Sequence, residues 1–384
     1  MLNTLRWYGR VMAGLFAVVA LSWLLPTTAR AYETTARAAI LVEYETGQVL
    51  FAKNPDMPLP PASMSKLMTV FMLFERLRSG RLSLDDEFSV SEKAWRKGGS
   101  KMFVEVGKKV RVGDLLHGII VQSGNDACIV VAENLAGTEE AFAEQATERA
   151  KQLGMTNTTL KNASGWPHPD HMMSVRDLAI LAGTIIKQFP EYYGIFSERE
   201  YEFNGIVQYA RNPLLRRDVG ADGLKTGYTD AAGYSLTASA VRDGRRLILV
   251  VAGFETSGQR ARGAERLLEH GFRDFDAYHL FEAGQVVDSA DVWLGDLETV
   301  PLVAEEPVTL ALTPEARRDL EVKVIYEGPI PAPIAMGSTV AQLEITAPGI
   351  EPRRVPLVAG EAVEPVGMLG RMTNAIGYLI WGRS

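Results

Sequence analysis

The sequence predicts one mixed α/β domain whose sheet is assembled from both ends of its segment, then a small all-β domain and a short amphipathic tail. Three observations carry this. Hairpin signals stand at Glu45-Thr46-Gly47 and at Asp243-Gly244, with a long run of helical patterns between them; helical periodicity stops at about residue 276; and it returns only after Glu364. A chain of 384 residues, 47% hydrophobic and 23% charged, can bury a large core and a smaller one, which sets aside disordered and fibrous classes. Its net charge of -7 makes nucleic acid an unsuitable partner.

Residues 1-31 read as a cleaved signal peptide. Arg6 and Arg10 precede an apolar run from Val11 to Leu25, and Ala29 and Ala31 supply the small-x-small pair of a cleavage site. That run is shorter than the roughly 20 residues a spanning helix needs. Residues 32-275 make the large domain. "AAILVEYETGQVLFAKN" alternates and turns, so it opens as a β-hairpin. A helix begins near Ala62, with Leu67, Val70, Phe71, Phe74 and Leu77 as its buried stripe and Ser79-Gly80 as its end. Helices and loops continue to about Ile195, among them "VGDLLHGIIVQ", "DACIVVAENLAG", "EEAFAEQATERAKQLG" and "VRDLAILAGTIIKQF". "GYSLTASAVRDGRRLILVVAGF" is two β runs joined at Asp243-Gly244, and "ARGAERLLEHGFRDF" closes the unit with a helix.

Residues 276-363 hold short β runs such as "PVTLALT", "EVKVIYEG" and "AQLEITAP", broken by Pro and Gly, with no titratable cluster. In residues 364-384, Met368, Leu369, Met372, Ile376, Leu379 and Ile380 recur at helical spacing, with Arg371 and Arg383 as the only charges after Glu364. Such a helix can lie flat in a bilayer interface with Tyr378 and Trp381 at headgroup level, which makes a membrane surface an expected partner. Cys128 is the only cysteine, so no intrachain disulfide can form, and it reads as a small buried apolar residue. The five histidines show no HExxH pattern, and His168 and His171 read as loop residues. Neither a metal nor a cofactor is expected.

Ser63 stands three residues before Lys66, a spacing that stacks the two side chains on one helix face with the hydroxyl nearer the N-terminus. Alone, this pair also fits an ordinary capped helix start. Two further stretches change its weight. "QSGNDA" places Ser123 and Asn125 in a turn between two helices, and "GLKTGYT" places Lys225, Thr226 and Gly227 on a strand. In this order S-M-S-K, S-G-N and K-T-G form the three-part signature of active-site serine enzymes that act on penicillin or its natural counterpart.

The chemistry asks for these residue types. A serine hydroxyl needs a base, and the sequence offers no His/Asp pair for a triad. Lys66 can serve if burial, Lys225 and the positive end of its helix destabilise the ammonium. Free N-H groups at the helix start suit an oxyanion. Ser123 is then a proton relay, Asn125 a binder of the substrate backbone, and Lys225 with Thr226 a carboxylate site. Gly227, without a side chain, lets the substrate lie along the strand edge.

These stretches resemble the D-alanyl-D-alanine carboxypeptidases, the low-molecular-mass penicillin-binding proteins of the bacterial envelope. "SKMFVEVG", "LLHGIIVQSGNDACIVVAE", "LGMTNTTLKNASG", "SVRDLAIL", "FNGIVQYARN" and "DGLKTGYTDAAGYSLTASA" extend the likeness over essentially the whole mature chain. The resemblance implies a β-lactamase/D,D-peptidase-like catalytic domain, an antiparallel sheet flanked by helices. It implies Ser63 as acylated nucleophile, Lys66 as its base, Ser123, Asn125 and Lys225 as catalytic partners, and Thr226 and Gly227 at the substrate. Arg260 matches an arginine that helps hold the terminal carboxylate, Arg211 and Asp177 match positions near the site, and the N-H groups of Ser63 and Tyr228 would make the oxyanion hole. The implied reaction removes the terminal D-alanine from peptidoglycan stem pentapeptides through an acyl-enzyme, with β-lactams as covalent inhibitors. The implied location is the periplasmic side of the cytoplasmic membrane.

Two departures stand out: Tyr228 where many relatives have histidine, and "NASGWPHPDHMM" in place of an N-P-x-G-L pattern. A D,D-endopeptidase that cuts cross-links would use the same residues. A class A β-lactamase needs a glutamate after the second motif, and residues 155-166 contain no acid. A catalytically silent scaffold would have no need of both lysines.

Overall fold

The expected hairpin is formed by β1 (Ala38–Glu43) and β2 (Val49–Lys53), antiparallel with Ala39 opposite Lys53. The structure, a computed structural model, describes residues 32-367, so the signal-peptide reading and nearly all of the tail lie outside the described residues. After β2 comes a 3-10 turn, Ala62–Ser65, that runs into α1 (Lys66–Arg78). The α1 stripe is buried as expected, and Phe71 and Phe74 meet the ring of Phe189 at 5.5 and 5.3 Å.

A short ladder of β3 (Glu87–Ser89) and β4 (Lys109–Arg111) brackets α2 (Glu92–Arg96). Then follow α3 (Val112–Ile120), α4 (Asn125–Ala136), α5 (Glu139–Gln152) and α6 (Val175–Gln188). Thr138 and Ser174 cap α5 and α6 by accepting from the N-H three residues on. A small hairpin, β5 (Glu200–Phe203) with β6 (Ile206–Tyr209), precedes the long strands β7 (Ala221–Thr229), β8 (Gly233–Arg242) and β9 (Arg245–Phe254). α8 is reached after a short α7 (Pro190–Tyr193) and spans Ser257–Arg273, opened by a Thr256/Gln259 capping box.

β1 pairs with β9 along its whole length, which gives the antiparallel order β2-β1-β9-β8-β7 and closes the sheet from both ends of the segment. Neighbouring β9 residues face opposite helices: Leu247 lies against Gly271 of α8, and Ile248 against Gly183 of α6. Helices therefore cover both faces of the sheet, and β7, at its edge, lies beside the turn that carries Ser63.

The segment after α8 is β-rich, with its own core built on Val300, Leu302, Leu310, Leu343 and Leu357. It contains β10 (Asp276–Phe281), β11 (Val286–Trp293), β12 (Thr299–Val303), β13 (Val308–Leu312), β14 (Glu321–Ile325), β15 (Ile330–Pro331), β16 (Thr339–Thr346) and β17 (Arg353–Ala359). The all-β expectation is met, with one short helical turn inside it. A short helix, α9 (Pro314–Arg318), starts on a Thr313 cap with proline in its first turn, a start signal too brief to show as periodicity. Gln48, in the β1-β2 turn, clasps β13: its Nε2 donates to Ala311 O at 2.6 Å and its Oε1 accepts from Ala311 N at 2.9 Å. Arg176 of α6 also meets Glu351 at 3.4 Å. Among the described residues no helix is long and apolar enough to cross a membrane.

Candidate active site

Pro61 and Ala62 turn the chain so sharply that Ala62 takes φ +49, a left-handed value uncommon for a side-chain-bearing residue, one position before Ser63. The 3-10 turn then sets Ser63 at the mouth of α1 and Lys66 fully buried behind it. Lys66 Nζ has three partners: Ser63 Oγ at 2.8 Å, Asn125 Oδ1 at 2.7 Å and the Ser164 carbonyl at 2.5 Å. Burial, first of all, lowers its pKa from 10.5 to about 8; Arg211 and Lys97 push the same way, while Cys128 and Asp126 oppose them.

Ser123 sits in the turn before α4 with φ +63, buried. Asp126, also buried, accepts from the N-H groups of Met102 and Phe103 at 2.9 Å each, tying the loop before α3 to the start of α4. That start carries Asn125, whose N-H donates to Ser100 O at 2.7 Å. The Asn125 carboxamide, expected to bind the substrate backbone, also holds Lys66. Its oxygen accepts from Lys66 and one amide hydrogen goes to Gly98 O at 2.9 Å, so one N-H remains free of these two bonds.

On β7, alternation puts Lys225 and Gly227 on one face and Thr226 and Tyr228 on the other. Lys225 is buried, and burial, then Lys66 and Arg211, hold its pKa well below the ordinary lysine range. Gly227 was expected to make room for substrate. A Cβ there would come within 2.7 Å of Pro61 O and 3.3 Å of Ala62 Cβ, so the missing side chain admits the nucleophile's own turn. Tyr228 is 49% exposed, stacks on Tyr234 at 4.2 Å and donates its hydroxyl to Asp230. Arg260 of α8 lies against the Tyr234 ring at 5.8 Å, with its Nε buried and without a hydrogen-bond partner. Arg211 donates to Ser100 Oγ and borders Lys225 and Thr226.

Asp177 is the one candidate that the structure does not bring into this cluster. Its carboxylate accepts from the Asn157 N-H at 2.9 Å and the Thr158 hydroxyl at 2.7 Å, and its own N-H goes to the Ser174 cap, so it fastens a loop to α6.

Sequence reasoning marked "NASGWPHPDHMM" only as a departure from a family pattern and missed the Ser164 carbonyl that its first turn, residues 162-166, supplies. Its Gly165 has φ +76, and a Cβ would lie 1.9 Å from Ala62 O. The loop also walls a cleft of about 490 Å³ lined by Pro60, Ala62, Trp166, His168, Met172 and Thr229. His171 also borders it: Nδ1 accepts from the Lys161 N-H at 3.0 Å, so Nε2 carries the proton, buried and without a partner. Burial, then His168 and Lys66, push its pKa from 6.5 to about 4. The unfolded chain therefore takes up the proton first, and the stability held above pH 6.5 is lost as the pH falls towards about 4. Urea midpoints are expected to show the native protein losing on the order of 3 kcal/mol over that interval relative to His171→Gln. Parallel curves would count against a buried neutral ring. Among the described residues no group of three or more His, Cys, Asp or Glu is gathered as a metal would need.

The sequence model of the D-alanyl-D-alanine carboxypeptidase family matches residues 26–256, and that of the penicillin-binding protein 5 C-terminal domain matches residues 275–365. The chain is 37% identical to D-alanyl-D-alanine carboxypeptidase DacC of Escherichia coli (strain K12), with 96% of each chain covered. The crystal structure of penicillin binding protein 5 from Haemophilus influenzae matches with a TM-score of 0.79 at 33% identity, covering 88% of this chain and 99% of that one. Penicillin-Binding Protein D2 from Listeria monocytogenes, in its ampicillin-bound form, matches with a TM-score of 0.58 at 32% identity, over 63% of this chain and 99% of that chain.

Proposed function

Since the chain belongs to the D-alanyl-D-alanine carboxypeptidase family, we propose that the cluster around Lys66 performs that family's reaction by general-base attack of Ser63. The protein is a serine-type D-Ala-D-Ala carboxypeptidase of the bacterial cell wall. The observation that carries the mechanism is the set of three partners on Lys66 Nζ. Asn125 Oδ1 and Ser164 O can only accept, whereas the Ser63 hydroxyl can donate. A neutral lysine has two N-H bonds and one lone pair. The two acceptors take the N-H bonds, and the lone pair is left for the Ser63 proton.

The proton passes to Nζ as Oγ attacks the carbonyl carbon of the penultimate D-alanine, and the oxyanion is met by the N-H groups of Ser63 and Tyr228. The C-N bond to the terminal D-alanine then breaks, and the leaving amine takes a proton through Ser123. Water next attacks the ester carbonyl and gives a proton to Lys66 Nζ; the C-O bond to Ser63 breaks, Oγ takes that proton, and the shortened peptide leaves with a new carboxyl group. Lys225, Arg260 and Arg211 supply the positive charge for the terminal carboxylate, the Thr226 hydroxyl adds a donor, and the free Asn125 N-H binds the peptide backbone. A β-lactam would acylate Ser63 by the same route. Because Tyr228 serves through its backbone, its side chain leaves acylation intact.

Labelling with a fluorescent penicillin is expected to mark the native chain and not Ser63→Ala; an adduct on the variant would sink the serine mechanism. Given a stem pentapeptide and a cross-linked dimer, the enzyme should release free D-alanine from the first faster than monomer from the second. The reverse order would make it an endopeptidase.

We also assign residues 32-275 to catalysis and 276-363 to a spacer, with 364-384 as an interfacial anchor on the periplasmic face of the membrane. The apolar positions of the tail at helical spacing support this. Deleting residues 365-384 is expected to release the protein from membranes with hydrolysis of soluble peptide unchanged. Full membrane retention would contradict the anchor.

A further inference from the structure

In its neutral form Lys66 can turn its lone pair to Ser63 only while its two acceptors stay in place, and one of them, the Ser164 carbonyl, belongs to a loop. The side chain of Asn162 organises that loop. Its Oδ1 accepts from the N-H groups of Ser164 at 3.2 Å, Gly165 at 2.8 Å and Trp166 at 2.9 Å, and its Nδ2 donates to Trp166 O at 2.9 Å. Successive amide hydrogens thus converge on one carboxamide. The carbonyls of Ala163 and Ser164 are caught by Thr69 Oγ1 at 2.7 Å and Lys66 Nζ at 2.5 Å, side chains three residues apart on α1. Ala163 and Ser164 are buried, so bulk water does not stand in for these bonds.

The second acceptor, Asn125, lies one packing layer beyond the same loop. Trp166, held at both its N-H and its carbonyl, packs on Gly99 and lies under Lys97 Nζ at 4.3 Å; the intervening Gly98 carbonyl holds Asn125 Nδ2. Asn162 thus holds the first acceptor of Lys66 directly, and the Trp166 that it fixes packs beside the Gly98 that holds the second.

We propose that Asn162 is a positioning residue for the general base: by gathering the amides of residues 164-166 it fixes the Ser164 carbonyl, and with it the direction of the Lys66 lone pair. This rests on the assignment of Lys66 as the base. Asn162 touches neither the nucleophile nor the substrate, and its effect passes through Lys66.

The test is the rate of Ser63 acylation by a fluorescent penicillin, measured on the full chain across the neutral and alkaline range. Asn162→Ala is expected to slow acylation about tenfold to a hundredfold, chiefly in the chemical step and with little change in reversible binding. Its acid limb should move to lower pH, because the carbonyl dipole no longer favours the ammonium. Asn162→Asp can collect the same N-H groups, so it should recover most of the rate at high pH, while its charge moves the acid limb to higher pH. The two substitutions thus displace the profile in opposite directions, which a purely structural role would not do. Native-like acylation in Asn162→Ala, or slowing in both variants with an unmoved limb, overturns the proposal; if Asn162→Ala does not fold, an unmoved limb in Asn162→Asp does so alone. A native chain without a Ser63-dependent adduct overturns the serine mechanism and this inference together, whereas a native chain that acylates beside unmoved variants overturns this inference only.

Discussion

Replacing Lys66 with methionine is expected to slow acylation of Ser63 by about 10⁴-fold, the largest loss short of removing the serine itself. Methionine is unbranched and apolar, so it suits the fully buried site sterically while removing the lone pair. Lys66→Arg should do no better, because guanidinium stays protonated throughout the working range. In the native protein the burial that lowers Lys66 to about 8 also sets the sign of the pH dependence. Below that value the amine carries its proton and cannot accept another, so the rate should fall about tenfold per unit on acidification and level off on the alkaline side. Stopped-flow labelling with a fluorescent penicillin measures both effects. An acid limb near the ordinary lysine pKa, or a methionine variant that still acylates at an appreciable rate, would remove Lys66 from the role of base.

The second large effect is expected at Gly165. An alanine Cβ would meet Ala62 O at 1.9 Å, Ala62 C at 2.4 Å and Ser65 Oγ at 2.7 Å, with the backbone already at φ +76. Two of these three atoms are backbone and cannot swing aside. They belong to the turn that carries Ser63, itself constrained by the left-handed Ala62. Either the loop lifts off and takes the Ser164 carbonyl from Lys66, or the turn shifts and takes Ser63 from its base. Gly165→Ala is therefore expected to cost about 3 kcal/mol or more of stability and to slow acylation at least about a hundredfold. A variant with native melting temperature and native labelling rate would show that the approach is not tight.

What the sequence made legible follows from how local each signal is. Ser63 and Lys66 are one helical turn apart, and Lys225 to Gly227 lie on one strand, so spacing alone gives their relation. The closing of the sheet by β1 and β9 was readable because both segments alternate or run apolar at the two ends of a helical block. Ser164 was out of reach for a different reason: it acts through a backbone carbonyl, and any residue type supplies one. A faint signal was available in Asn162, which precedes Gly165 by three in "NASG", the pattern of a side chain folding back on its own turn. Spacing did not show that Asn125 and Gly227 also meet the protein's own machinery, Asn125 at Lys66 and Gly227 at the turn before Ser63. Asp177 entered by resemblance, and the Thr158 hydroxyl and Asn157 amide that it meets are nearly twenty residues away, beyond any local pattern.

The Gln48 clasp on Ala311 reaches beyond catalysis. It joins the first hairpin, part of the sheet that carries Lys225, to the β-rich segment by two hydrogen bonds made by one side chain, with Arg176 and Glu351 as a second brace. The two cores are thereby joined by side-chain contacts as well as by the chain that runs from α8 into β10. A load taken up by the β-rich segment therefore reaches the sheet beside Ser63 through side chains, and not through the connecting backbone alone.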